Sequence, residues 1–218
     1  MIPKRDTKTF NVVSLDGKIE KVKIIPDYVN RVLRMTCLQD TIAISDFWGV
    51  PPEIHILNRS FIEIRYEVRG GSNLGLGNTL ILCVNDGKLY EAMHVLRYMN
   101  WDSGNQKENY HITLILNGED RLNYRLIVHI HDNVYSKLEP ETNYNYNNQT
   151  VLSFDTRRNV FYSIKETVSC HVATTKTGKT VKQKIVGDFP VIILGKQTYY
   201  FIKGRWYQSR STNEMDEI

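Results

Sequence analysis

The sequence predicts a mainly β chain of antiparallel hairpins arranged as a meander, sandwich-like or barrel-like, with one or two short helices in its first half. Three observations carry this. Apolar residues recur mostly with period two, the apolar runs are separated by short turns rich in Gly, Asn and Asp, and helical spacing is confined to residues before Asn100.

Taken in order, Phe10 to Leu15 and Lys18 to Ile25 flank Asp16-Gly17, the strongest short hairpin signal a sequence offers. Pro26 at a first-turn position, followed by Val29, Val32, Leu33, Thr36 and Cys37, predicts a short helix. From Phe61 to Val68, Ile62, Ile64, Tyr66 and Val68 alternate with Glu63, Arg65 and Glu67, the pattern of a half-buried strand. Arg69 to Asn78 holds Gly70, Gly71, Gly75 and Gly77 and reads as a flexible connection. Lys88 to Tyr98 places Leu89, Ala92, Met93, Leu96 and Met99 on one stripe after Asn85-Asp86-Gly87, which predicts a second helix.

Tyr110 to Leu116 and Leu122 to His131 form another hairpin around Asn117 to Asp120, with Leu116 facing Leu122, Leu114 facing Tyr124 and Ile112 facing Leu126. Asp132 to Gln149 reads as a long loop or arm, containing Pro140 and the run Asn143 to Gln149. Connections of this length are commonly functional or disordered. Val160 to Ala173 and Thr180 to Val186 flank Thr177-Gly178-Lys179, and Phe189 to Leu194 and Tyr199 to Lys203 flank Gly195-Lys196-Gln197. Tyr199 to Tyr207 reads as one strand apolar on both faces, with Tyr200, Ile202, Gly204 and Trp206 on one of them, buried between layers or beneath a partner. The length of 218 residues allows a single β-rich chain, 1–218, or two subdomains of about 1–105 and 106–218.

Composition excludes several classes. With 41% hydrophobic and 24% charged residues the chain is neither disordered nor fibrous, and no stretch approaches the ~18 apolar residues of a membrane helix. A net charge of +4, with its cations scattered, permits contact with nucleic acid without demanding it. The polar segment Met1 to Lys8 is unlike a signal peptide, so a cytoplasmic chain is expected. Cys37, Cys83 and Cys170 are far apart in apolar runs and read as reduced core residues.

Signatures of chemistry are weak. Gly71, Gly75 and Gly77 fail the dinucleotide spacing, and an apolar strand follows where a helix is needed. Gly178-Lys179-Thr180 resembles the end of a phosphate loop, but Ala173 stands where the first Gly belongs. His111, His129 and His131 share one face of their hairpin, too few ligands for zinc. No nucleophile elbow, metalloprotease motif or activated cysteine is present, and no catalytic, cofactor or metal residue is assigned. The candidates are surfaces instead. Tyr144 and Tyr146 in the arm and Tyr200 and Trp206 in the aromatic run are candidate subunit contacts, and Lys176, Lys179, Lys182 and Lys184 are candidate DNA-facing residues. The same lysines also suit a solvated strand edge. A nucleic-acid- or glycan-binding β module, using aromatic platforms beside the basic hairpin, is the alternative.

Asn/Tyr-rich loops such as Asn143 to Gln149, many short hairpins and the lack of catalytic and secretion signals resemble, in style, the connector, ring and tail proteins of tailed phages, with the flavour of crAss-like podophages. That resemblance implies a non-enzymatic, oligomeric virion subunit, assembled in the host cytoplasm, needing no cofactor and no membrane. Its partners would be copies of itself and other virion proteins, with non-specific DNA contact.

Overall fold

A computed structural model describes residues 6–119, 123–176, 179–211 and 214–217; within these, side chains are described outside 170–183 and 210–217. Four strands, β1 (Lys8–Val13), β2 (Ile19–Asp27), β3 (Val32–Cys37) and β4 (Asp40–Ile44), form an antiparallel meander. Eight more follow in chain order in a second sheet: β5 (Glu53–Ile56), β6 (Ile62–Val68), β7 (Leu74–Asn85), β8 (Lys88–Asp102), β9 (Gln106–Asn117), β10 (Arg125–Ser136), β11 (Tyr144–Asp155) and β12 (Val160–Tyr162). The last five, β13 (Ile164–Lys176), β14 (Lys179–Leu194), β15 (Gln197–Ile202), β16 (Arg205–Ser211) and β17 (Glu214–Glu217), close into a barrel through a parallel β13–β17 pairing. The β8–β9 turn, where a division near residue 105 would fall, joins neighbouring strands of one sheet.

Two apolar clusters hold the layers together. Val22, Ile24, Leu33 and Met35 of the small sheet pack on Ile62, Ile64, Leu80 and Leu82, whereas Ile81, Cys83, Met93 and Val95 pack with Leu126, Val128, Leu152, Ile192, Tyr199 and Trp206. Alternate residues of β7 thus enter different clusters, and the strand is covered on both faces. That is why Leu80 to Val84 is continuously apolar. Cys37 and Cys83 are buried, as expected, while the Cys170 side chain lies outside the described ones.

The hairpins at Asp16-Gly17 and Gly195-Lys196 form as expected, pairing Val13 with Ile19 and Leu194 with Gln197. Gly17 takes φ 92°, open to glycine and strained for other residues. Lys176 pairs with Lys179 around the third predicted turn, whose residues 177 and 178 lie outside the described ones.

No α-helix occurs among the described residues; the one helical turn is a 3-10 turn, Pro140–Thr142. Among the described residues no helix is long and apolar enough to cross a membrane. Lys88 to Tyr98 lies within β8, and its stripe has another cause. Two register shifts leave Ala92 and Arg97 as extra residues against β7, so Ala92 and Met93 join one cluster, with Leu96 and Met99 packed against it. Bulges break the period of two and imitate helical spacing. Leu89, the fifth member of the stripe, belongs to the other cluster. The helix expected after Pro26 is also absent. Pro26 lies opposite Leu33 in the β2–β3 hairpin, the Asp27 carboxylate accepts the Asn30 N–H at 2.9 Å to fix the turn, and Val29 is 71% exposed.

Four further expectations are corrected. Gly75 and Gly77 lie in β7 because Tyr98 needs the room; a Cβ on Gly77 would fall 2.4 Å from its ring. The 132–149 segment is not an arm, since Asp132 to Val134 pair with Tyr144 to Tyr146 and the connection shrinks to 137–143. The β9–β10 register pairs Leu116 with Leu126, Leu114 with Val128 and Ile112 with Ile130. The tighter predicted register would set Ile130 against Glu108; the observed one matches apolar with apolar. Finally, Tyr199 to Tyr207 is a hairpin, turning at Lys203-Gly204, with Phe201 opposite Trp206.

Candidate interaction surface and the polar core beneath it

The strand read as half-buried, β6, carries a covered charge. Glu63 is 1% exposed, bound by Arg65 at 2.8 and 3.0 Å and by the Thr79 hydroxyl at 2.9 Å. A buried carboxylate persists only with partners of this kind.

A second polar chain links the eight-stranded sheet to the barrel and to the segment after β4. Arg205 of β16 donates to Glu91 Oε1 at 2.6 Å, Glu91 Oε2 lies 3.3 Å from His94 Nδ1, and His94 Nε2 lies 2.7 Å from Tyr66 Oη. The Asn78 amide donates to Tyr66 Oη at 3.2 Å, and the Tyr66 hydroxyl reaches Asp46 Oδ1, after β4, at 3.3 Å. Burial pushes the Tyr66 phenol well above its ordinary pKa. The Trp206 indole N–H donates to the Glu91 carbonyl at 2.9 Å. Each of these groups is held by protein, so the chain fastens β6, β8 and β16 together.

Next to it is a cleft of about 490 Å³ where Asp40, Glu91, Arg157, Lys203 and Arg205 converge from all three sheets. Its wall is pinned by Asp155. Burial raises that carboxyl, but Lys165 at 2.9 Å, the Arg157 and Arg158 N–H groups and the Arg158 guanidinium hold it at about 2.

The exposed face of β8–β11 carries four uncharged rows. Cross-strand register aligns Asn100, Asn109, Asn133 and Asn145 in one row. The next row is Tyr98, His111, His131 and Asn147, followed by Thr113, His129 and Gln149, then Ile115, Ile127 and Val151. Ile115 is 50% exposed and Val151 49%. These four rows carry no Asp, Glu, Lys or Arg; charge returns at Arg125 beyond one end and at Lys107 and Asp102 beyond the other. The imidazoles of His111 and His131 stack at 4.5 Å, and no group of three His, Cys, Asp or Glu suited to a metal occurs among the described residues.

The sequence-derived contact residues divide. Tyr144 and Tyr146 lie together in a pocket with Asp132, Gly195 and Lys196. Tyr200 is half-buried against the barrel, its hydroxyl 3.4 Å from Glu166, and Trp206 is 1% exposed in the core, so its indole is not open to a neighbour. Lys184 is exposed, and the side chains of Lys176, Lys179 and Lys182 lie outside the described ones. The asparagine row went unseen in the sequence because a predicted offset in the β9–β10 pairing hid its alignment, although the shared face of the histidines was legible.

No protein-family model, no curated protein and no solved structure matches this chain.

Proposed function

We propose that this chain is a non-enzymatic structural subunit of a phage virion, an oligomeric head-to-tail connector, ring or tail protein that meets its neighbours through the β8–β11 face. The observation that carries the reading is the absence of charge across four rows of exposed and half-buried residues that include Ile115 and Val151. Interface centres are depleted in charged residues, whereas solvated sheet faces are usually studded with them. Amide and imidazole side chains both donate and accept, so such a face suits a protein partner that presents backbone and amide groups. In a ring, one surface meets a different surface of the next copy. The lysines at 176, 179, 182 and 184 are the DNA-facing element of this reading.

The test is recovery. Gradient-purified particles of a phage encoding this chain should contain it in stoichiometric amount by quantitative mass spectrometry. Its absence from intact particles would refute the virion role.

A further inference from the structure

We propose that the pocket between the β10–β11 hairpin and the β14–β15 turn is a binding site for a saccharide, held through its hydroxyl groups. The inference rests on two buried polar atoms left without partners. Asp132 is 6% exposed; its Oδ2 accepts the Tyr144 hydroxyl at 2.8 Å, and its Oδ1 has no partner. Tyr110, directly opposite on β9, is 3% exposed, and its hydroxyl has none either. An unmade buried hydrogen bond costs about 1–3 kcal/mol, so a pocket lined by Asp132, which carries one such acceptor, with one such donor on the residue opposite it in the sheet, is primed for a group that can give and take. A hydroxyl does both.

The surroundings narrow the ligand. The cavity measures about 360 Å³, within the roughly 300–1,000 Å³ of small-molecule sites. A single bridging water fills only about 30 Å³ of such a space. Tyr144 and Tyr146 line it, and Tyr146 is 37% exposed, which offers an aromatic face to the C–H side of a sugar ring. Gly195, held at φ 62° in the turn, also lines it. A free amine fits less well, because the Lys196 ammonium already sits 4.0 Å over the Tyr144 ring and donates to its hydroxyl. A metal ion lacks ligands, since among the described residues no group of three His, Cys, Asp or Glu is placed to hold one.

Saturation-transfer difference NMR on the full chain tests this with D-glucose, D-galactose, D-mannose and N-acetyl-D-glucosamine, and with methylammonium as the competing chemistry. At least one sugar should give a saturable signal whose affinity falls about tenfold or more in Asp132→Asn and in Tyr146→Ala. Tyr146 is partly exposed, so Tyr146→Ala should retain the wild-type thermal transition and keeps the test decisive if Asp132→Asn is unstable. No saturable sugar signal from the folded chain, sugar binding unchanged in Tyr146→Ala, or binding of methylammonium alone would each overturn the assignment. This outcome is independent of whether the chain is found in particles.

Discussion

His111 and His131 stand directly opposite one another across β9 and β10, with their rings nearly parallel, 16° apart, and 4.5 Å between centroids. Neutral imidazoles stack in this way without conflict; two imidazolium rings at that separation repel. The Asn147 side-chain oxygen holds the His131 Nδ1 side.

Stability should therefore depend on this pair in acid. Burial, and then the neighbouring His131, lower the His111 pKa below its ordinary value. A lowered histidine pKa means that the unfolded chain takes up its proton first as pH falls. The contribution is complete above about 6.5 and is lost below it. Thermal melts between neutral pH and about pH 5 should show a steeper fall in the wild type than in His111→Gln. Equal slopes would remove the pair from the account.

Asp155 acts in a lower window. Its carboxyl is held at about 2, below the ordinary 3.8, so its contribution is full above the ordinary value and disappears as pH falls through about 2. Asp155→Asn should cost about 2 kcal/mol at neutral pH in urea unfolding, and should cost nothing near the acid end of that window.

Gly77→Ala should destabilise by about 1–3 kcal/mol, because the new Cβ displaces the Tyr98 ring that now covers the glycine and hydrogen-bonds Glu67. In a Tyr98→Ala background the same change should be nearly neutral. A double-mutant cycle by chemical denaturation measures the difference.

Arg205→Ala removes a guanidinium that donates to Glu91, leaving a 4%-exposed carboxylate beside the His94 ring. The arginine itself is 43% exposed, which screens the pair, so a loss of about 1–3 kcal/mol is expected in equilibrium unfolding. Adding Glu91→Gln should recover part of that loss.

Much of the fold was legible in local signals. Asp16-Gly17 and Gly195-Lys196 announce their hairpins through turn chemistry, which is decided within four residues. What misled was β8, where bulges at Ala92 and Arg97 and cover on both faces replace alternation with a helix-like stripe. Bulges are fixed by the partner strand, here β7, and leave no local mark. Trp206 and Tyr199 signalled burial correctly, but whether the cover came from this chain or another depended on β8 and β10, far away in sequence. The candidate site was harder still. The register of β9 against β10 is set by matching Ile112 and Leu114 with Ile130 and Val128, and only that match aligns Asn109 with Asn133 and exposes Asp132 as the neighbour of Tyr110.

Native mass spectrometry of the purified chain beside its Ile115→Glu/Val151→Glu variant tests the subunit role of the β8–β11 face most directly. Both positions are about half exposed, so the variant should keep its stability within roughly 0.5 kcal/mol per site. The wild type should populate a discrete oligomer and the variant should be monomeric. A wild type that stays monomeric at every concentration, or a variant that assembles as the wild type does, would contradict the account.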